Sequence, residues 1–262
     1  MEVQILDKGY LRLVETWGSD QRIVEAARMS TDKGFLGWGT KTCDACPSVV
    51  VDIASERCPS CGDMNKFSGE KSGDEKLLKF LSDNRHDTPF EFAGMVIEVK
   101  APIMVFREWH RHRTQSYNEM SARYTPLPDD NYVPTVERLM RNANGSNRQA
   151  GRADGATELT ETLAMRYRGR LIKAYEEDQE LYDIALQCGV PKELARLHLP
   201  VGRYSRMRAS ANLRNMLAFL TLRMDSAAMW EIQQYANALH EILKEKFPRT
   251  LALFDEKRQF RR

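Results

Sequence analysis

Hydrophobic and polar residues alternate near the start of the chain, and the spacing then becomes helical. Residues 3–14, VQILDKGYLRLV, contain two alternating stretches around Gly9, which predict a hairpin or a bent strand. Ser19 precedes the first helical run and is suited to cap a helix from about 20 to 29. The expected buried stripe of that helix consists of Ile23, Val24, Ala26 and Ala27.

Further helices are interspersed with strands along the rest of the chain. Strands are expected at 95–100 and 201–210, and helices after Asp74, at 102–110, at 157–187, after Pro191, and at 212–223 and 226–246. The long helix carries a predicted core stripe of Leu159, Leu163, Tyr167, Leu171, Tyr175 and Leu181. Residues 125–157 are irregular, and their later part is expected to be a mobile loop. Without a regular β-α-β period or a G-x-G-x-x-G motif, we expect no Rossmann fold. The prediction is one α+β domain, residues 1–262, with a mixed or antiparallel sheet packed against helices.

A cysteine-rich insert, residues 34–72, interrupts this domain. Two C-x-x-C pairs, with eleven residues between them, are formed by Cys43, Cys46, Cys58 and Cys61. Each spacing lets both sulfurs reach one ion, so the four thiolates predict a structural zinc in a ribbon-like insert. Disulfides and a redox-active pair are the alternatives. The lone Cys188, in a helical context, is expected to be a small core residue.

Composition narrows the class of protein only modestly. The 262 residues carry a net charge of +2, with 29% charged and 42% hydrophobic residues, an ordinary globular balance. Overall charge therefore does not indicate a nucleic-acid coat, and any anion site must be local. No apolar run approaches the roughly 18–20 residues that span a bilayer. The N-terminus lacks the pattern of a signal segment, so a cytoplasmic location is expected.

The chemistry-bearing residues concentrate at 111–124, RHRTQSYNEMSARY. Arg111, His112 and Arg113 are consecutive, so they cannot share one face of a helix or strand. Ser121 and Arg123 lie two apart and share one side if the chain is extended there. Arginine forks suit phosphate and carboxylate groups, so the segment predicts a polyanionic, hydrogen-bonding ligand, most simply a nucleotide. A solvated basic loop is the alternative.

Several motifs in this chain resemble those of the flavin-dependent thymidylate synthases. R-H-R at 111–113 is followed by seven residues and then Ser121, within S-x-R-Y. Further matches are S-Y-N-E at 116–119, A-R-M-S at 27–30, H-D-T-P-F-E at 86–91, A-R-L-H-L-P at 195–200 and W-E-I-Q-Q-Y at 230–235. The resemblance covers nearly all of the chain except the insert, which is not a general feature of that family.

The resemblance implies reductive methylation of dUMP to dTMP. Methylenetetrahydrofolate would supply the carbon, FAD would carry the hydride and NADPH would reduce the flavin. The family also suggests a homotetramer whose active sites combine several subunits. No membrane or nucleic-acid partner is expected.

The resemblance also assigns the substrate residues. Arg196 is expected to hold the nucleotide phosphate, and Arg223 to contact the uracil and stabilise its ionised N3, which makes Arg223 the predicted catalytic residue. We expect Ser121 to bind the nucleotide through hydrogen bonds rather than to act as a nucleophile. The complete predicted set is Glu108, Trp109, His110, Arg111, Glu119, Ser121, Ala122, Arg123, Arg196 and Arg223.

A second set of positions is expected to hold the flavin. It consists of Ser30, His86, Thr88, Arg111, His112, Arg113, Glu119, Asn212, Arg214 and Ala218. Three positions depart from the family pattern: Glu108 replaces a frequent glutamine, Ala218 an asparagine and Ala227 a histidine. A rival hypothesis is a zinc-ribbon nucleic-acid-binding protein that uses Arg111–Arg123 as a phosphate stripe. It explains the cysteines and the arginines, but not the motifs at both ends of the chain.

Overall fold

A computed structural model describes residues 1–64, 66–141 and 158–259, and the chain divides into two compact units. The first unit comprises Met1–Glu15, Val96–Ala211 and Ala218–Leu239, and the second comprises Thr16–Met95, Asn212–Leu217 and His240–Arg262. The predicted mobile loop, in the later part of 125–157, lies at 142–157, outside the described residues.

The described residues form eight strands and nine α-helices, which belong to the predicted α+β class. The strands are β1 (Glu2–Ile5), β2 (Gly9–Trp17), β3 (Thr40–Cys43), β4 (Val50–Asp52), β5 (Phe67–Lys71), β6 (Gly94–Pro102), β7 (Ser116–Glu119) and β8 (Tyr204–Asn212). The helices are α1 (Asp20–Arg28), α2 (Glu75–Asp83), α3 (Ile103–Trp109), α4 (Val136–Met140), α5 (Glu161–Gln187), α6 (Lys192–Ala195), α7 (Leu213–Arg223), α8 (Trp230–Lys246) and α9 (Pro248–Gln259). In this described part of the chain, no helix is long and apolar enough to cross a membrane.

A five-stranded sheet organises the first unit, in the order β1-β2-β6-β8-β7. Strands β1 and β2 form the predicted hairpin, antiparallel, with Ile5 opposite Gly9. Only glycine fits at position 9, because a Cβ there would lie 2.1 Å from the Tyr235 hydroxyl. That hydroxyl donates a 2.8 Å hydrogen bond to the carbonyl of Lys100 on β6. The close approach thus fixes helix α8 against the hairpin and the central strand.

The core beneath the sheet is built around one tryptophan. Trp109, the last residue of α3, is fully buried, and its ring stacks on Phe219 of α7 with centroids 4.5 Å apart. Tyr235 of α8 meets the same indole edge-on at 6.3 Å. Ile97 and Val99 alternate inward along β6 and are fully buried. The end of α3, where the R-H-R motif begins, is therefore anchored in the core.

The second unit packs α1, α2 and α9 together. Ser19 caps α1 as predicted, since its hydroxyl accepts a hydrogen bond from the amide of Arg22. The buried Asp20 accepts from the amides of Arg249 and Thr250, in the first turn of α9. Burial raises the pKa of this carboxyl, while these donors stabilise its charged form. A three-stranded sheet in the order β4-β3-β5 forms the insert.

Several details of the predicted pattern are wrong. Asp74, which was expected to cap the helix that follows it, occupies the N-cap position of α2, but its side chain makes no capping hydrogen bond. Its carboxylate instead accepts from Arg28 and from the amide of Leu36. Helix α8 begins at Trp230, four residues later than expected, and α9 was not predicted. Cys188 is exposed and is not a core residue.

The predicted core stripe of the long helix is also wrong. In α5 the buried side chains are Ala164 and Tyr182, whereas Leu163, Tyr167 and Leu181 are about half exposed, with Tyr167 at 53%. The periodicity correctly gives a helix, from Glu161 to Gln187, with Gly189 in a left-handed conformation after its end. The part of the apolar face that carries Leu163, Tyr167 and Leu181 is only half covered by the described residues of this chain.

Candidate active site

The R-H-R motif lies in a tight turn between α3 and β7. The Tyr117 hydroxyl donates to the carbonyls of His112, at 2.7 Å, and Trp109, at 3.2 Å, and so holds the turn closed. Burial raises the pKa of Tyr117, so the hydroxyl remains a donor. Arg111 and Arg113 point to solvent, and neither forms a salt bridge with any residue that the structure describes. The turn therefore presents two unpaired guanidinium groups.

Arg223, at the end of α7, is held by three hydrogen bonds, two to Glu108 in the last turn of α3 and one to His112 of the R-H-R turn. Its Nη1 lies 2.5 Å from Oε2 of Glu108, and its Nη2 donates to the carbonyl of Glu108 at 2.8 Å. Its Nε donates to Nε2 of His112 at 2.9 Å. The side chain is only 14% exposed. The guanidinium is thus fixed in direction before any ligand arrives, which suits a group that stabilises developing charge.

His112 is a neutral hydrogen-bond acceptor in this arrangement. Burial and the neighbouring Arg223 charge lower the pKa of His112 to about 4. Since Nε2 accepts from Arg223, the ring proton belongs on Nδ1 at neutral pH. The ring also packs edge-on against Phe219, with centroids 4.9 Å apart. The imidazole therefore orients the guanidinium without adding a second positive charge.

The pairing of Glu108 with Arg223 was not predicted. Glu108 was expected to be a substrate residue that departs from the family's glutamine. One signal was available: Glu108 and His112 are four residues apart, the spacing that brings side chains together on a helical turn. No local pattern pointed to Arg223, which is more than a hundred residues away in sequence.

A second cluster of predicted substrate residues surrounds Glu193 in the first unit. The Nε of Arg123 lies 3.2 Å from the Glu193 carboxylate, and the Nε of Arg196 lies 3.4 Å from the Glu193 carbonyl. Ser121 and Arg123 do not lie on an extended segment. They form a turn in which the Ser121 hydroxyl accepts from the amide of Arg123, with Ala122 buried between them. This turn brings Arg123 and Arg196 to one acidic residue.

The remaining substrate candidates differ in accessibility. The Trp109 side chain is fully buried, and its indole nitrogen donates to Gln115 at 3.2 Å. His110 is half-buried, with its Nε2 3.2 Å from the sulfur of Met207. Glu119 is half-buried at the end of β7. Trp109 thus serves as packing in this structure, and its predicted contact with substrate stays a prediction.

The other predicted flavin residues fall mainly in the second unit. Arg214 of α7 is half exposed, and its guanidinium lies 2.6 Å from Glu91 and 3.5 Å from Asp87. His86 and Thr88 are exposed beside those two acids in sequence, while Ser30 donates to the carbonyl of Ala27. The Asn212 side chain accepts from the amide of Asn215 and caps α7, and Ala218 of the first unit is exposed.

Comparison with known proteins assigns the family. A family model described as "Thymidylate synthase complementing protein" matches residues 12–249. A flavin-dependent thymidylate synthase of Thermosipho africanus is 36% identical over 254 residues, 97% of this chain and 94% of that protein. The Thermus thermophilus enzyme of the same name is 37% identical over 256 residues, 98% of this chain and 79% of that protein. The chain belongs to the flavin-dependent thymidylate synthase family.

A solved structure supports the same relationship at the level of the fold. The crystal structure of a UMP/dUMP methylase, PolB of Streptomyces cacaoi, bound with 5-Br dUMP, aligns with a TM-score of 0.71. It is 29% identical in sequence, and the alignment covers 97% of each chain. The predicted family and the α+β class with antiparallel strand pairs are therefore confirmed.

The cysteines of the insert come together in the second unit. All four are free thiols, and their sulfur atoms all lie within 4.8 Å of one another. The amides of Cys61 and Ser60 lower the pKa of the Cys58 thiol to about 7, whereas burial raises the pKa of Cys43 to about 11. The sequence prediction that the two pairs converge on one point is consistent with this geometry.

Two surface concavities lie apart from these clusters. One, of about 500 Å³, is lined by residues of the second unit, among them Gly18, Met29 and Phe92. The other, of about 190 Å³, is lined by Glu98, Arg206 and Arg208 and other residues of the central sheet. None of the predicted site residues lines either one.

Proposed function

We propose that the protein methylates dUMP reductively to dTMP, with methylenetetrahydrofolate as carbon donor and NADPH as the reductant of FAD. The observation that carries this proposal is the fixed Arg223, oriented by Glu108 and His112 beside the exposed Arg111 and Arg113. Membership of the flavin-dependent thymidylate synthase family supplies the reaction class.

Arg223 would act on the pyrimidine ring. A guanidinium aimed at N3 stabilises the negative charge that forms there, and the electron density at C5 rises so that it attacks the one-carbon unit. The preorganisation by His112 and by the Glu108 carbonyl means that little rearrangement is needed when the ring binds. The Glu108 carboxylate now occupies one edge of the guanidinium and would compete with an anionic ring for it.

The phosphate end of the nucleotide would be held by Arg196 and Arg123, with Ser121 and the amide of Ala122 as further donors. Both arginines now contact Glu193, one through its carboxylate and the other through its carbonyl. A phosphate offers more acceptor oxygens than either contact and forms charge-assisted bonds with arginine. We therefore place the phosphate at this turn, with Glu119 near both ligands.

The residues present also fit a flavin dinucleotide. The exposed Arg111 and Arg113 of the first unit suit its pyrophosphate. The half-exposed Arg214 of the second unit, which contacts Glu91, is a separate predicted ligand. When bound, FAD supplies the hydride that completes the methyl group. The protein's own part is to hold the flavin and to keep His112 neutral, so that its ring binds Arg223 rather than repelling it. Ala218 and Ala227, which stand where the family pattern has an asparagine and a histidine, would give a bound flavin fewer polar side-chain contacts.

A homotetramer with shared active sites is part of the proposal. The half-exposed apolar residues Leu163, Tyr167 and Leu181 on α5 support it, since a face of this kind is typical of an interface between subunits. The proposed location of the enzyme is the cytoplasm. Native mass spectrometry of the purified protein measures the subunit number directly.

One assay tests the proposed reaction. Tritium release from dUMP labelled at C5 is expected only when FAD, NADPH and methylenetetrahydrofolate are all present, because C5 loses its hydrogen when the methyl group forms. The purified protein should be yellow and release flavin on denaturation. A colourless protein that binds oligonucleotides in a salt-sensitive manner and releases no tritium would contradict the proposal in favour of the nucleic-acid-binding alternative.

Replacing Glu108 by glutamine is expected to tighten dUMP binding about fivefold. The Glu108 carboxylate is 42% exposed, so its ion pair with Arg223 contributes about 1 kcal/mol at most. The carbonyl of Glu108 and the ring of His112 still hold Arg223 in the variant, so the guanidinium keeps its direction but loses a competing anion. Isothermal titration with dUMP measures the change.

Glu137→Gln is the matched control, because Glu137 is an exposed glutamate on α4. It should leave dUMP affinity unchanged. If Glu108→Gln weakens binding or removes turnover while Glu137→Gln does not, the carboxylate has a positive role and is not a competitor.

A further inference from the structure

The four cysteines of the insert are arranged as two knuckles that face each other. Cys43 ends strand β3, and the amide of Cys46 donates back to the carbonyl of Cys43 at 3.2 Å. In the second pair the amide of Gly62 donates to the carbonyl of Cys58 at 2.9 Å. Gly62 has φ of +74°, a left-handed conformation that favours glycine. Both turns therefore direct two sulfurs to one side.

The separations between the sulfurs match a tetrahedral metal site. A tetrahedron with zinc–sulfur bonds of about 2.3 Å has sulfur–sulfur edges of about 3.8 Å. The sulfurs of Cys43 and Cys61 lie 3.7 Å apart, and all six separations are within 4.8 Å. These contacts are far longer than the bond of about 2.05 Å in a disulfide. The cluster is already close to the size that one ion requires.

The insert has almost no hydrophobic core of its own. Among the described residues of 38–66, the buried hydrophobic side chains are Val51 and two of the cysteines, Cys43 and Cys58. Val50 is exposed, and strands β3, β4 and β5 are three to five residues long. A segment of this size without a core needs another source of folding free energy. Metal binding to cysteines supplies such energy directly.

The base of the insert is attached to the second unit independently of the cysteines. The Glu75 carboxylate accepts from the amides of Gly39, at 2.8 and 2.9 Å, and Gly73, at 3.2 Å, where the insert leaves and rejoins the chain. The guanidinium of Arg249 bonds Glu75 at 2.8 Å and lies 4.2 Å from the ring centroid of Trp38. These contacts anchor the base of the insert. The outer part of the insert, which carries both knuckles, is held in place by the three-stranded sheet of the insert itself.

We propose that Cys43, Cys46, Cys58 and Cys61 bind one structural Zn²⁺ that folds the outer part of the insert. Four thiolates close the coordination sphere and leave no position for a substrate, so the ion has no part in the methylation. None of the predicted flavin or nucleotide ligands lies within 34–72. Loss of zinc therefore disorders residues beyond the base while the flavin stays bound.

The test uses the full-length protein purified anaerobically, with metals measured by mass spectrometry. We expect one zinc per chain in the unaltered protein and in Cys188→Ser, whose thiol is exposed outside the cluster. Zinc should be lost from Cys58→Ser, with flavin content unchanged. Trypsin should then cut after Arg57 or Lys66 at least tenfold faster than in the unaltered protein.

A second measurement serves if the cysteine variant does not fold. An organomercurial that modifies thiols should release one zinc per chain from the unaltered protein, detected by a colorimetric chelator, without releasing FAD. Absence of zinc, iron in its place, or a disulfide between the pairs overturns the site. Release of flavin together with zinc overturns its separation from the synthase chemistry.

Discussion

Arg223→Ala is expected to abolish thymidylate formation while flavin content and the folded structure are retained. The side chain donates three hydrogen bonds within the first unit, to Glu108 and to His112, and is mostly buried. Its loss removes the only group in our proposal that stabilises charge on the pyrimidine. Removal of one such donor typically costs 10²–10³ in turnover, about 2.7–4 kcal/mol. Tritium release from C5-labelled dUMP measures it.

Two further variants separate the roles of charge and geometry. Arg223→Lys keeps the positive charge but loses the planar guanidinium, so it cannot donate to His112 and Glu108 at the same time. It should therefore recover only a small part of the activity. Arg22→Ala is the matched control, because Arg22 is 67% exposed and, among the residues that the structure describes, forms an ion pair with Glu25 alone. An Arg223→Ala enzyme that keeps most of its turnover would contradict the assignment of Arg223 as the catalytic residue.

The sequence predicts Arg223 as a candidate catalytic residue but does not predict which residues surround it. The resemblance carried that residue over by position, and an arginine ending the apolar run L-A-F-L-T-L needs a partner or an anionic ligand. The sequence does not predict that Glu108 and His112 are the hydrogen-bond partners of Arg223. Their pairing with Arg223 depends on how α3 and α7 pack, which is fixed by Trp109 and Phe219 rather than by any local pattern.

Helix α5 shows the limit of periodicity. The 3.6-residue pattern requires that one face of the helix be apolar, and that was predicted correctly. It does not specify what covers that face. Leu163 and Tyr167 were assigned to the core of this chain, yet both are exposed to solvent in the single chain. An apolar stripe buried between subunits has the same sequence signature as one buried within a subunit.

In the insert, the sequence predicted the cluster of cysteines but not the secondary structure. The two C-x-x-C spacings predicted the convergence of the sulfurs because short turns fix where they point. Strands β3, β4 and β5 went unpredicted, since they are short and carry few large apolar residues. Helix α9 was missed because its basic end resembles a solvated tail, whereas its start is held by Asp20.

Trp109→Ala is expected to lower the free energy of unfolding by about 3–5 kcal/mol, the usual cost of removing a large buried aromatic side chain. The indole is fully buried between Phe219 and Tyr235, so truncation leaves a cavity where α3, α7 and α8 meet. It also releases the last residue of α3, whose carbonyl accepts from Tyr117 at the R-H-R turn. Urea unfolding followed by circular dichroism measures the loss.

Trp109→Phe distinguishes packing from contact with substrate. Phenylalanine keeps the ring stack but leaves Gln115 without its donor, so stability should fall by about 1–3 kcal/mol, the cost of one unsatisfied buried group. Phe80→Ala, which removes a side chain of α2 that is 52% exposed, should lower stability much less than Trp109→Ala does. Because the indole is enclosed by protein, dUMP affinity of Trp109→Phe should match that of the unaltered enzyme. A variant that unfolds normally but binds dUMP at least tenfold more weakly would show that the indole itself reaches the nucleotide.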